Sequence, residues 1–333
     1  MKKKNKAIYL LFLMPFVYFA TACFVVWLVK TSGIYPSGSD TMYHVYRGDY
    51  VYNAIKSGNW YPLYDPAWYN GVEILRYWSP FPAYVMAFCQ YLAGGSQFGA
   101  YLFYIGGVCF LGACVWPFIG RGFNRPYLGA FIGLLWFFIP NNLCAIFIEG
   151  NLARSLSMIF LPVFIYSVYK YLYNHKLRYI PLMVFTFLLM ELCHLGYAGM
   201  AAIAVIIYGI VYMIQKGRKK AVLDVVISMI FGFMLLGIWL VASLRGGITS
   251  LDNSENMANF FQNLWITINP FERLTRGFEY FYFGFAALVV IVFGILFGYK
   301  KSRTGFVTGF IILLMTTKSA YAVLKHLPGS QYL

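Results

Sequence analysis

Three short stretches of this chain set acids beside bases at spacings that chemistry can use. In the first, Asp40, His44 and Arg47 fall at i, i+4 and i+7 behind a turn, Ser37-Gly38-Ser39-Asp40, in which Ser39 or Asp40 can cap a helix start. A carboxylate, an imidazole and a guanidinium then share one helical face. The plainer alternative is a capping Asp with an incidental ion pair. In the second, Glu149-Gly150-Asn151-Leu152-Ala153-Arg154, an acid and a base occupy a very short connection between two apolar runs, close to Asn141 and Asn142. Ions so placed are costly unless paired and mark functional sites by default, the alternative being a Glu149 to Arg154 pair that only pins two helices. In the third, Glu191 and His194 stand at i and i+3 and are expected to point the same way, toward a polar substrate, a helix-packing hydrogen bond or a metal. Two ligands make no metal site by themselves, and no Cys/His spacing supports one, so the metal question stays open.

The elements that must position these residues are membrane helices. Of 333 residues 61% are hydrophobic and 11% charged, too little polar surface to coat a soluble globule of this size. The net charge of +15 would suggest nucleic acid in a soluble protein, but here the basic residues fall between apolar runs, where they anchor helix ends against anionic lipid. No nucleic-acid partner is expected. The six cysteines are scattered within apolar runs and read as small apolar packing residues. A helix needs about 20 apolar residues to cross the hydrocarbon. Runs near that length are Ala7 to Val29, Phe98 to Ile119, Tyr127 to Ile148, Leu152 to Tyr169, Tyr179 to Leu195, Ala198 to Ile214, Val222 to Leu244, Phe281 to Tyr299 and Gly305 to Thr317. The first resembles a signal peptide but is too long past Ala20-Thr21-Ala22-Cys23 for cleavage there, and reads as an anchor. The fold predicted is therefore an all-α polytopic membrane protein of about nine transmembrane helices, in a single domain over residues 1–333.

Charge fixes the direction of the spans. Pro80 to Leu92 is apolar but short; if it lies in the interface, Lys216-Gly217-Arg218-Lys219-Lys220 and Lys300-Lys301-Ser302-Arg303 both fall on the cytoplasmic side with the amino terminus. If it crosses, both basic clusters go outside, against the positive-inside rule. The accepted topology leaves a long first external loop at about 30–97, rich in Tyr and Trp that prefer the headgroup layer, and a second at about 245–280. Every acid but Asp224 then lies outside, and all three clusters emerge there with Arg245, Arg273 and Arg276. An outward polar cavity with carboxylates and spare Arg suits a phosphate-bearing substrate arriving from lipid, because the planar Arg fork matches phosphate oxygens.

Asp40 through Arg47, Ser57-Gly58-Asn59-Trp60-Tyr61-Pro62, Tyr77-Trp78-Ser79-Pro80-Phe81-Pro82-Ala83-Tyr84, Glu149 through Arg154, Pro162 and His194 together resemble bacterial membrane glycosyltransferases of the GT-C superfamily and, within it, the 6-pyruvoyl-tetrahydropterin synthase-related membrane proteins. The resemblance implies interfacial helices in the first external loop, a sugar donor carried on polyprenyl phosphate or diphosphate, and inverting transfer to a glycan, lipid or protein acceptor on the outer face, in cell-envelope glycan assembly. It implies Asp40 as base and Glu149 as a second acid, with His44, Arg47 and Arg154 as phosphate or acceptor contacts; Glu191 and His194 join them as substrate-binding candidates. No cofactor is implied, apart from a divalent cation where the donor is a diphosphate. Relatives of this kind continue with further spans and often an external domain, so the ending Leu327-Pro328-Gly329-Ser330-Gln331-Tyr332-Leu333 leaves truncation open. A lipid or glycan transporter or flippase, or a degenerate scaffold protein, is the alternative; interrupted helices, internal repeats and midplane ions would be the transporter's marks.

Overall fold

The computed structural model describes residues 2–36, 38–68, 70–245 and 285–326, and the second external loop, with Arg273 and Arg276, falls outside them, as does the segment from Leu327. The described residues are almost wholly helical. In chain order the helices are α1 (Lys2–Ser32), α2 (Thr41–Lys56), α3 (Phe81–Leu92), α4 (Gln97–Gly122), α5 (Pro126–Leu135), α6 (Pro140–Leu143), α7 (Leu152–Asn174), α8 (Tyr179–Cys193), α9 (Leu195–Lys216), α10 (Lys219–Leu235), α11 (Gly237–Arg245), α12 (Phe285–Met315) and α13 (Lys318–Leu324). They group into two compact units. One takes Met1–Phe138, Asn142–Gly199 and Ser228–Gly246, and the other Ile139–Asn141, Met200–Ile227 and Gly247–Leu333.

Where the sequence predicts nine crossings, the described residues hold four helices long and apolar enough, Phe12–Ser32, Gln97–Gly122, Leu152–Asn174 and Leu195–Lys216, or up to six if each of two bent pairs is one span. Two expected straight spans are broken. Tyr127 to Ile148 runs as α5, a 3-10 turn (Trp136–Phe138), α6 and a π-helix (Cys144–Ile148), with a bend of 44° between its halves. Pro140 explains the break, since proline cannot donate to the preceding turn, and the Asn142 side chain donates to the Trp136 carbonyl thereby released (3.0 Å). Val222 to Leu244 bends by 63° between α10 and α11, at Leu236-Gly237. At fifteen residues, Tyr179–Cys193 is about 22 Å long, short of the roughly 30 Å hydrocarbon.

In the first unit α4 is central, packing against α1, α3, α5 and α7, while α8 lies along α7. Tyr18 on α1 donates to the Ala130 carbonyl on α5 (2.8 Å), and Tyr104 on α4 donates to the Leu152 carbonyl that opens α7 (2.8 Å). Both hydroxyls find a carbonyl that a phenylalanine would leave dry. Ser96 and Asn151 cap α4 and α7 by accepting from Gly99 and Arg154 backbone N–H groups. The segment between α1 and α4 is ordered around Asp65, whose carboxylate accepts from the Tyr46 hydroxyl (2.6 Å) and the Ala67 N–H (2.9 Å). Trp68 stacks between Tyr43 and Trp78, at 5.5 Å and 5.8 Å. Rings expected to lie in a headgroup layer are here partly spent on one another.

In the second unit Thr304 on α12 donates to the Gln215 side chain on α9 (2.7 Å), and α12 kinks at Ser302, separating the two runs predicted around Lys300-Lys301.

Candidate functional site

Asp40 occupies the N-cap position of α2, yet its side chain makes no capping hydrogen bond. Its backbone N–H donates instead to the Glu149 carbonyl (2.9 Å), which also accepts from the Ser39 hydroxyl (3.0 Å). That double contact docks the start of α2 on the connection before α7. The approach needs glycine on both sides: a Cβ on Gly38 would lie 2.6 Å from the Gly150 Cα, and one on Gly150, whose φ is +65°, would strike the Thr41 hydroxyl. Two stretches more than a hundred residues apart are thereby fused at the backbone.

One and two turns along α2 come His44 and Arg47, on the face predicted for them. Arg47 is 8% exposed, and it donates from Nε to the Tyr43 carbonyl (3.2 Å) and from Nη2 to Nδ1 of His44 (3.4 Å). Its guanidinium lies 4.8 Å from the centre of the Trp78 ring, so the stack Tyr43, Trp68, Trp78 ends on a cation. Burial lowers the Arg47 pKa to about 10 against the pull of Asp40, which leaves it charged at neutral pH. Burial, then the positive charges of Arg47 and His194, hold the His44 imidazole well below its ordinary range. His44 is thus a neutral ring; with Nδ1 accepting from Arg47, its proton sits on Nε2.

This has a measurable sign. The folded chain binds the His44 proton less readily than the unfolded chain, so the stabilisation is complete above the ordinary imidazole pKa of 6.5 and drains away as pH falls through it. Wild-type melting temperature is expected to fall on that acid side, and to fall less steeply in His44→Asn. Equal slopes would show an imidazole titrating freely.

Glu149 pairs with Arg154, Oε2 to Nη1 at 2.6 Å, with side chains 23% and 14% exposed. The pair expected of the plain reading is present, but it uses only one nitrogen. Nε and Nη2 of Arg154 are buried and have no hydrogen-bond partner among the described residues. Buried donors are rarely left so, and unmet ones cost about 1–3 kcal/mol. The Cys144 thiol donates to the other Glu149 oxygen (3.5 Å).

His194 joins the cluster from the junction of α8 and α9. Its Nε2 lies 3.4 Å from the Asn151 amide nitrogen and its Nδ1 accepts from the Tyr197 N–H (3.1 Å), while the charges of Arg154, Asp40 and Glu149 act on it. Glu191 does not join it. The expected shared face requires helix through both residues, and α8 stops at Cys193; His194 is extended at φ −155°, ψ 99°. The Glu191 side chain instead faces Gly232 on α10. Asn151, Tyr104 and Trp78 are neighbours that sequence reasoning missed; only Asn151 carried a local signal, as an N-cap residue before an apolar run.

The arrangement offers one free carboxylate, one paired one, two guanidinium groups and two imidazoles within hydrogen-bonding or electrostatic reach of one another. It can relieve a hydroxyl of its proton and hold an anion. Among the described residues no group of three or more His, Cys, Asp or Glu is disposed to hold a metal ion.

A family model described as the 6-pyruvoyl-tetrahydropterin synthase related domain, a membrane protein, matches residues 75–333. The match takes in Glu149, Arg154, Glu191 and His194 and begins after Asp40, His44 and Arg47. No curated protein and no solved structure matches. No glycosyltransferase family is matched either, and the resemblance to the GT-C superfamily is corrected accordingly: of the motifs that suggested it, those from Tyr77 onward fall within the matched family and those from Asp40 to Pro62 lie before it. The chain, matched over most of its length and carrying several apolar membrane-length helices, belongs to the 6-pyruvoyl-tetrahydropterin synthase-related family of membrane proteins.

Proposed function

We propose that this chain is a multi-pass membrane glycosyltransferase that takes a sugar from a polyprenyl-phosphate or polyprenyl-diphosphate donor and gives it to a glycan, lipid or protein acceptor in cell-envelope glycan assembly. The observation that carries the reading is Arg154: fixed on one edge by Glu149, it keeps two buried donors without an acceptor among the described residues, within electrostatic reach of His194, which Asp40 also reaches. Paired guanidinium donors suit the oxygens of a phosphate. In the reaction Asp40 takes the proton of the acceptor hydroxyl as its oxygen bonds to the anomeric carbon. The bond from that carbon to the phosphate oxygen breaks with its electrons, and Arg47 and Arg154 offset the charge left on the phosphate. Neutral His44 can orient the acceptor through Nε2–H.

The finer topology belongs to the same proposal: about nine crossings, amino terminus cytoplasmic, the site facing outward, and α2 and α3 in the first external loop. Twelve residues of α3 reach about 18 Å, too short to cross, and only in that arrangement do the basic clusters at Lys216 to Lys220 and at Lys300 to Arg303 fall on the cytoplasmic side with the amino terminus.

Purified from its own membrane, the protein is expected to carry a polyprenyl phosphate-linked sugar detectable by mass spectrometry. Arg154→Gln is expected to retain it about tenfold less or worse, the loss of charged hydrogen bonds of about 1.5–3 kcal/mol. A protein with no such lipid and no transfer of a labelled sugar sinks the proposal. The two bent helix pairs, at 44° and 63°, favour a second reading as a lipid or glycan transporter. Bound lipid with flipping across a vesicle but no new glycosidic bond would select it.

A further inference from the structure

Glu191 and Asp65 are equally buried acids, 1% and 2% exposed, treated in opposite ways. Both Asp65 oxygens accept hydrogen bonds. Oε2 of Glu191 is buried with no partner among the described residues. Ionised, Oε2 would forfeit its hydration and gain no donor among the described residues, whereas the uncharged acid forfeits far less.

Among the described residues no counter-ion is paired with it. The Ser79 hydroxyl, just before α3, donates to the Glu191 backbone carbonyl (3.0 Å), and Ser157 on α7 donates to that of Met190 (3.3 Å). Of the charged side chains on α7, Arg154 is bonded to Glu149 and Lys170 to the Gly122 carbonyl. On α3 the titratable groups are Tyr84, Cys89 and Tyr91; on α8 itself Tyr179 and Cys193, followed by His194; none donates to Oε2. The stretch of α10 beside it, Ser228–Leu235, has no ionisable residue. There Gly232 lies against it: a Cβ on that residue would be in ordinary contact with Oε2, at 3.9 Å, and tight only against the Phe187 ring, at 3.1 Å. One turn further the chain breaks into α11, which is tied elsewhere, by Trp239 Nε1 donating to the Leu75 carbonyl (2.7 Å) and Arg76 Nε to that of Ala242 (3.0 Å).

We propose that Glu191 is a proton-binding site, held as the uncharged acid between α8 and α10, and that losing its proton loosens α8 from the α10–α11 break. The site is separate from the transfer chemistry and does not rest on it. A buried acid with its proton on is the target of an apolar carbodiimide. The acid O–H adds across one C=N bond, the oxygen bonding to the central carbon and the proton passing to nitrogen. An acyl shift from oxygen to nitrogen then leaves a stable N-acylurea, with nothing expelled.

Full-length protein in lipid nanodiscs, treated with dicyclohexylcarbodiimide, is expected to carry the adduct on Glu191, less of it as the buffer turns alkaline, and none in Glu191→Gln. A water-soluble carbodiimide should mark Glu73 instead, whose side chain is 40% exposed. With Oε2 buried and no donor to it among the described residues, ionising the acid removes the packing it makes as an uncharged group, so stability is expected to fall as the buffer turns alkaline. Glu191→Gln, isosteric with the acid, is therefore expected to melt like wild type in acid and to lose the wild type's alkaline decline. An unlabelled Glu191, labelling that ignores pH, or a Glu191→Gln protein destabilised at every pH overturns the proposal.

Discussion

Asp40→Asn is expected to lower sugar transfer by about 10²–10⁴-fold, the usual contribution of a positioned base, with little change in folding. Its carboxylate does not cap α2 and pairs with no cation by direct contact among the described residues, and the docking on Glu149 runs through the Asp40 backbone N–H, which Asn keeps. A change at such a side chain usually costs within about 0.5 kcal/mol. Transfer of a labelled sugar from the donor found on the purified protein, measured beside the thermal melt, separates the two effects. Glu149→Gln is the informative contrast, because it withdraws the ion-pair partner that Arg154 has among the described residues and should lower stability as well as turnover. Full turnover in Asp40→Asn would remove Asp40 from the base's role.

Gly150→Ala carries the second large effect, on the fold of the site. It places a side chain at a φ of +65° and drives it into the Thr41 hydroxyl, with the Thr41 backbone nitrogen only 2.7 Å from the new Cβ. Strain of that kind costs about 1–3 kcal/mol per residue, and relieving it separates the start of α2 from the Glu149 carbonyl. A lower melting temperature and loss of bound lipid are expected together. Thr41→Ala in the same chain should restore part of both, since the Thr41 hydroxyl is buried without a partner and its removal clears the path. Wild-type stability in Gly150→Ala would mean the two stretches need not approach so closely.

The class of the protein and most helix positions are legible in the sequence because long apolar runs admit few other readings. Two of the runs hide breaks, and both signals are local and weak: Pro140 inside one, Gly237 inside the other. Asp40, His44 and Arg47 sit where helical spacing puts them, since α2 is continuous through all three. Glu191 and His194 do not, because spacing arguments hold only while the helix lasts, and the run read as reaching Leu195 stops being helix at Cys193. The Arg154 donors left over after pairing with Glu149 are invisible in a sequence, which gives the pair and not which nitrogens it uses. Likewise Trp68 and Trp78 register as aromatic content; that they stack beneath Arg47 is a matter of how the loop around Asp65 closes.

The π-turn before Glu149 makes the site sensitive to counting. Glu149 donates its backbone N–H to Cys144, five residues back, at 2.9 Å, where an α-helix would reach four. One residue more or fewer between Cys144 and Ile148 turns everything downstream by about 100°, carrying Glu149 off the face it shares with Asp40. A substitution along that turn keeps the count, whereas an insertion or deletion of a single codon there would part Glu149 from Asp40 while leaving each of these residues in the chain.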